Sequence, residues 1–294
     1  MRGVVLPMVE AELSVRSFGV RCAGAIMVSL AVAGCATVGG GSSAVDRGPQ
    51  IAEVRADDPA ATASNLSSLT DTIRRAPTAE AYLTRGNAYA RAGRLSEAMA
   101  DFGEAIKLDP NNAAAYTNRA LALRQTGRND AALQDFDRAI QANPNHASAY
   151  LGRANLLRAQ GNLDQALTDL DQAIRLNPES AQAFHARGLI YQRNGNHVRA
   201  ITDFDNAIDR DPFAAAPYQA RGQSFLAVNK IPQAVEDFNA ALNVDSKNPD
   251  GWAGLGLAYE KQGNRAKAAE SYQRALALDP NNAVARSGAS RVRA

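Results

Sequence analysis

The chain has 294 residues, a formal net charge of +2, three His and two Cys; 46% of it is hydrophobic, 21% charged and 6% aromatic. Sixty residues are Ala, which cannot fill a thick sandwich or barrel but lets helices approach closely and favours helix formation. Near-neutral charge with interspersed signs argues against the basic stripe of a nucleic-acid protein, and two Cys exclude a disulfide framework, a zinc ribbon or an iron–sulfur site.

Residues 1–34 differ from the rest. Arg16 and Arg21 precede an apolar run from Cys22 to Gly34, and Gly39, Gly40, Gly41, Ser42 and Ser43 follow it. The run is too short to span a bilayer as a helix, which takes about 20 residues. A basic flank, a short apolar run and small residues at the exit describe a cleavable secretory signal. The exit, Val32-Ala33-Gly34-Cys35, resembles the bacterial lipobox. That resemblance implies cleavage before Cys35, which would carry acyl chains as the first mature residue; an ordinary signal with a chance Cys is the alternative. Glu10 and Glu12 sit oddly in such a leader, so translation could also start at Met8 or nearer Arg16. Stable anchoring takes more than one acyl chain. Ala36 rather than Asp follows Cys35, which by resemblance to enterobacterial lipoproteins favours the outer membrane, facing the periplasm. The expected location is therefore the bacterial cell envelope, with the membrane reached through lipid.

Residues 35–63 read as the lipidated Cys and a flexible tether, rich in Gly, Ser, Ala, Asp and Pro without sustained periodicity. As a coil it reaches about 30 Å. Helical spacing returns at Leu66, Leu69 and Ile73, predicting a short packing helix over 64–77, capped by Ser64 or Asn65 and stopped before Pro77.

From Ala79 the chain repeats every 34 residues without insertion or deletion: 79–112, 113–146, 147–180, 181–214, 215–248 and 249–282. The eighth position is Gly or Ala throughout, and the twentieth and twenty-seventh are always Ala. An aromatic holds the fourth position (Tyr82, Tyr116, Tyr150, Phe184, Tyr218, Trp252) and a bulky residue the twenty-fourth (Phe102, Phe136, Leu170, Phe204, Phe238, Tyr272). Gly at the fifteenth position, replaced once by Asn229, supplies the left-handed residue that ends a first helix. Pro at the thirty-second, replaced once by Ser246, stops the second. One such helix pair cannot bury its apolar face, but six stacked pairs can.

This pattern resembles the tetratricopeptide repeat (TPR), whose period and small/aromatic positions it reproduces. The resemblance implies an all-α, right-handed α-solenoid of six 34-residue helix-turn-helix repeats, with the first helix of each lining a concave groove. Residues 283–294 read as a C-terminal capping helix, with Arg286 where the aromatic would stand.

The seventh position is Arg in five units (Arg85, Arg119, Arg153, Arg187, Arg221) and the twenty-third is Asp in the same five (Asp101, Asp135, Asp169, Asp203, Asp237). In the sixth unit both change together, to Leu255 and Ser271. Joint loss predicts a structural ion pair within each unit; a basic stripe for an acidic ligand is the alternative.

Helical periodicity puts positions two, five, six, nine, twelve and thirteen of each first helix on one free face. Candidate peptide-binding residues there are Asn87, Asn118, Leu121, Arg124, Asn155, Arg158, His185, Leu189, Arg193 and Gln223, with Gln192 and Gln219 nearby. Amides can serve both donor and acceptor of a peptide backbone, Leu can hold an apolar side chain, and Arg can meet a carboxylate; a solvated face without ligand is the bland alternative. The chaperone-binding TPR subgroup clamps a terminal carboxylate with Lys and Asn at positions five and nine. Position five here is Leu83, Thr117, Leu151, His185, Gln219 and Ala253, so that clamp is missing.

No nucleophile motif, phosphate loop or dinucleotide fingerprint occurs, and His146, His185 and His197 show no metal-ligand spacing. The expectation is a non-enzymatic scaffold without cofactor, metal, nucleic acid or small-molecule substrate, holding protein partners in the cell envelope. By resemblance to other lipobox TPR proteins these could be peptidoglycan hydrolases or pilus and secretion components; an accessory subunit that targets such an enzyme is the alternative.

Overall fold

The computed structural model describes residues 59–293, and these form fourteen α-helices. The expected signal peptide, Cys35 and most of the expected tether lie outside the described residues. Helix α1 (Pro59–Arg75) starts inside the segment expected to be tether. Proline is pre-set for a first helical position, and Ala60, Ala61 and Ala63 behind it are strong helix formers. The helix therefore runs past Ser64 and Asn65, the expected caps. Its Leu66 and Ile73 are buried, and it packs on α2.

Six helix pairs follow: α2 (Ala79–Arg91) with α3 (Leu95–Leu108), α4 (Ala113–Gln125) with α5 (Asn129–Ala142), α6 (Ala147–Ala159) with α7 (Leu163–Leu176), α8 (Ala181–Arg193) with α9 (His197–Arg210), α10 (Ala215–Ala227) with α11 (Ile231–Val244), and α12 (Pro249–Lys261) with α13 (Arg265–Leu278). Helix α14 (Ala283–Arg293) closes the array. Each first helix ends on a left-handed residue; φ is 59° at Asn229, the one position where glycine is absent. The second helices end two residues before the expected prolines, and a second device acts beside them. In all six units the thirty-first residue is Asp or Asn, and its side-chain oxygen accepts the backbone N–H two residues on, as Asp109 does from Asn111 and Asp245 from Lys247. This local turn holds the chain out of the helix on its own, which is why Ser246 can stand in for proline.

Stacking rests on the bulky residue at position twenty-four, fully buried in every unit. Where this residue is aromatic, its ring lies against the eighth position of its own unit, and at Gly152, Gly254 and Gly288 against the sixth of the following one as well. A Cβ added at Gly188 would lie 2.6 Å from Phe204, and one added at Gly152 would lie 2.3 Å from Phe136. Successive first helices come close to one another along their backbones, whereas no two second helices of the described residues approach as closely. The first helices thus lie on the inside of the curve.

The Arg and Asp of positions seven and twenty-three meet within each unit. From Arg85 to Arg221, Nε and Nη2 donate to the two carboxylate oxygens of Asp101, Asp135, Asp169, Asp203 and Asp237 at 2.7–2.9 Å. Every one of these guanidiniums also covers the fourth-position ring of its own unit, 5.7–5.9 Å from its centroid. The remaining nitrogen reaches backwards: Nη1 of Arg153, Arg187 and Arg221 donates to Asp137, Asp171 and Asp205 of the preceding unit at 2.6–2.7 Å, and that of Arg85 to Thr70 of α1. The ladder therefore ties units to one another as well as helix to helix. In the sixth unit Leu255 is buried beside Phe238 and Trp252, and Ser271 donates to the Lys267 carbonyl.

The last helix has its own lock. Arg291 donates twice to Glu260, at 2.7 and 2.9 Å, and Glu260 accepts the buried Tyr272 hydroxyl at 2.6 Å. The Arg291 hydrogen bond holds the Glu260 carboxyl below its ordinary range. Ala285 and Ala289 of α14 are buried against the same Tyr272, while Arg286 points to water.

Two stability measurements check this packing by denaturant unfolding. Gly152→Ala drives a methyl into the Phe136 ring and is expected to cost about 1–3 kcal/mol. Asp203→Ala strands the Arg187 guanidinium beside a site where the carboxylate is only 4% exposed, at a cost of about 3 kcal/mol. Asp171→Ala, which removes the 53%-exposed outer partner of the same Arg, should cost under about 1 kcal/mol. Equal losses at Asp203 and Asp171 would contradict the assignment of inner and outer rungs.

Candidate functional site

The inner surface is made by the first helices, so the side chains they leave unspent decide what the array can hold. Helices α4, α6, α8 and α10 contain no Asp or Glu. Their position-seven Arg side chains are all committed to the ladder, and Arg187 is held more firmly in its charged form, chiefly by its hydrogen bond with Asp203.

Several residues expected in the groove are engaged elsewhere. Asn118 is buried, and its Nδ2 donates to Oδ1 of Asn87 at 2.7 Å. These two amides tie the second unit to the first instead of facing a ligand. Position six, placed on the free face by periodicity, is covered by the preceding unit. Leu121 packs partly buried beside Phe136, and Leu189 beside Phe204, so their apolar surface is largely consumed by the core. Gln192 donates to the Ala220 carbonyl and the Ser224 hydroxyl at 2.8 and 2.9 Å, and Gln219 accepts from Asn248 at 2.7 Å.

What remains lies on consecutive units. Arg124, Asn155, Arg158 and His185 are half-buried, and Arg193 and Gln223 are exposed. Neither Arg124 nor Arg158 has a carboxylate partner among the described residues. Nε of Arg158 is buried with no hydrogen-bond acceptor. Burial, and then the charge of Arg158, disfavours the charged form of Arg124 and lowers its pKa. The same two causes, in the same order, push His185 down to about 4, so its ring is neutral at pH 7. That ring stands 5.8 Å from the ring of Phe204. The structure thus brings Arg124, Arg158 and His185 into one electrostatic neighbourhood.

The other two histidines stay apart from it. His146 is buried at a unit junction, and His197 opens α9 with its Nδ1 buried and unbonded. Among the described residues no group of three His, Cys, Asp or Glu side chains is placed to hold a metal ion. No helix among them is long and apolar enough to cross a membrane. Sequence reasoning missed Asp137, Asp171 and Asp205 as ladder members. Their signal was present: position twenty-five is Asp in units two to four, immediately before a unit whose seventh residue is Arg, and Asn239 before the unit that has Leu255.

Family models described as tetratricopeptide repeat match residues 66–113, 83–147, 136–168, 181–213 and 220–283, and one described as TPR repeat matches 154–195. A comparison with curated proteins gives no match. Among solved structures the chain is similar to the APC/C hetero-tetramer Cut9-Hcn1, at 20% identity and TM-score 0.69, over 79% of this chain. It spans only 46% of that relative's length. It is similar to Pseudomonas aeruginosa PilF at 16% identity and TM-score 0.67, covering 72% of this chain and 97% of that one. YrrB, described as a TPR protein with an unusual peptide-binding site, is 22% identical with TM-score 0.55, covering 64% of this chain and 97% of that one. At these identities the likeness is one of fold. With the repeat models spanning residues 66–213 and 220–283, the chain belongs to the tetratricopeptide-repeat family.

Proposed function

We propose that this protein is a lipid-anchored scaffold of the bacterial cell envelope that holds peptide segments or domains of other envelope proteins in its concave groove. The observation that carries this reading is the inner surface of units two to five. It presents Arg124, Asn155, Arg158, Arg193 and Gln223 with no hydrogen bond or ion pair from their side chains among the described residues, on helices that carry no acidic residue. Two amides that can both donate and accept, beside three guanidiniums that donate, suit an extended segment whose backbone and acidic side chains offer the complementary groups. The array supplies binding and position, and the partner supplies any chemistry. A peptide-binding site is also described for YrrB, a relative in fold. Anchoring rests on the lipobox-like residues ending at Cys35, with the outer membrane, facing the periplasm, as the favoured location.

The test is in-cell photo-crosslinking from Asn155 and Gln223 in the groove and from Lys107 and Asp209 on exposed second-helix surface, with acyl labelling of the same cultures. Groove positions are expected to capture envelope proteins and second-helix positions to capture few. Label should enter the wild type but not Cys35→Ala. Crosslinks confined to Lys107 and Asp209 would overturn the groove assignment, and equal acyl labelling of Cys35→Ala would overturn the anchor.

A further inference from the structure

The ladder guanidiniums meet Asp, Arg291 meets Glu260, and Arg94, Lys107 and Arg274 pair with a Glu three or four residues away along the chain. Arg124 and Arg158 have no carboxylate partner among the described residues although both are half-buried. They occupy the same position, the twelfth, of two successive first helices, and each is partly desolvated on the inside of the curve. Arg158 keeps its Nε–H buried with no acceptor. A buried donor left unsatisfied is costly, and two like charges near one another in a partly dry site add to the cost. An anion placed between them would relieve both.

We propose that Arg124 and Arg158 form a seat for a side-chain carboxylate on an extended acidic segment of the partner, and that Arg193, one unit further along, meets a second carboxylate about three residues away. The inference rests on the groove reading above and names the chemistry of its ligand. The planar guanidinium fork matches a carboxylate in two-point fashion. His185, beside Arg158 and neutral at pH 7, adds a hydrogen-bonding edge without adding charge. The spacing follows from the frame: first helices pack about 8–10 Å apart, and an extended chain advances about 3.3 Å per residue, so one unit corresponds to about three residues of ligand. The seat lies in units two and three, with groove continuing on both sides. That position suits an internal Asp or Glu better than a chain terminus.

The probe is a fluorescent, terminally capped peptide in which Glu recurs at every third residue between alanines, titrated against the full chain at low salt and read by anisotropy. The wild type is expected to bind it, with affinity falling as salt rises. Arg124→Gln combined with Arg158→Gln should weaken binding about tenfold or more, and Arg193→Gln, an exposed site that spares the fold, severalfold. Arg158→Lys, which keeps the charge but loses the fork, should fall between the wild type and the double variant. Equal binding by a peptide with Gln for Glu and a free terminal carboxylate would overturn the side-chain assignment, as would full binding by the double variant. The double variant is also carried into cells with the crosslinker at Asn155. Loss of the crosslinks is expected. Retained crosslinks overturn this inference and leave the groove reading standing, whereas a wild type without groove crosslinks overturns both.

Discussion

Each unit of this array sets one fully buried bulky side chain against the small eighth residue of its own first helix and, at Gly152, Gly254 and Gly288, against the following helix as well. Phe204 sits against Gly188 of its own unit, and Phe136 against Gly152 of the next. Where a ring meets both helices, it sets the distance between them. Among the described residues the backbones of successive second helices stay further apart than those of the first. Curvature, and with it a concave surface made only of first helices, follows from that asymmetry. A side chain at Gly152, Gly188, Gly254 or Gly256 would force the neighbouring ring out of place, which is why these positions are glycine.

The ladder works on the same frame. Each guanidinium covers an aromatic ring, closes on the Asp of its own unit and, in three units, reaches the Asp of the unit before. The inner carboxylates are nearly dry and the outer ones half exposed, so the first binds helix to helix and the second adds a weaker tie between units. Because these charges are satisfied internally, they offer little to a third molecule. The groove inherits the residues that the frame did not need.

Much of the fold was legible from the residues alone, since a strict period makes every unit an independent copy of the same evidence. The turn at Asn229, the paired loss of Arg and Asp at Leu255 and Ser271, and the small positions all stand in the sequence. Three features emerge only when the units are packed together, although their residues stand in the sequence. The Asp137, Asp171 and Asp205 contacts cross a unit boundary, and a repeat alignment compares like positions without saying which unlike ones touch. Asn118 and Gln192 sit on the free face of an isolated helix, but the neighbouring unit covers one and engages the other. The Asp or Asn that precedes the proline position also makes a turn of its own in every unit, a side-chain contact that the period alone does not specify. The groove residues that stay open, Arg124, Asn155 and Arg158, stood out in the sequence only as members of a longer set, because separating free from spent side chains takes the coordinates.

A groove exists only if the first helices form the inside of the curve. Pairs of spin labels three units apart measure this directly: Glu80 with Gln182 on first helices, and Lys107 with Asp209 on second helices, all four exposed. The first-helix pair is predicted to give the shorter distance by pulsed dipolar spectroscopy. Equal distances, or a shorter one between Lys107 and Asp209, would contradict the curvature and remove the groove on which the functional reading stands.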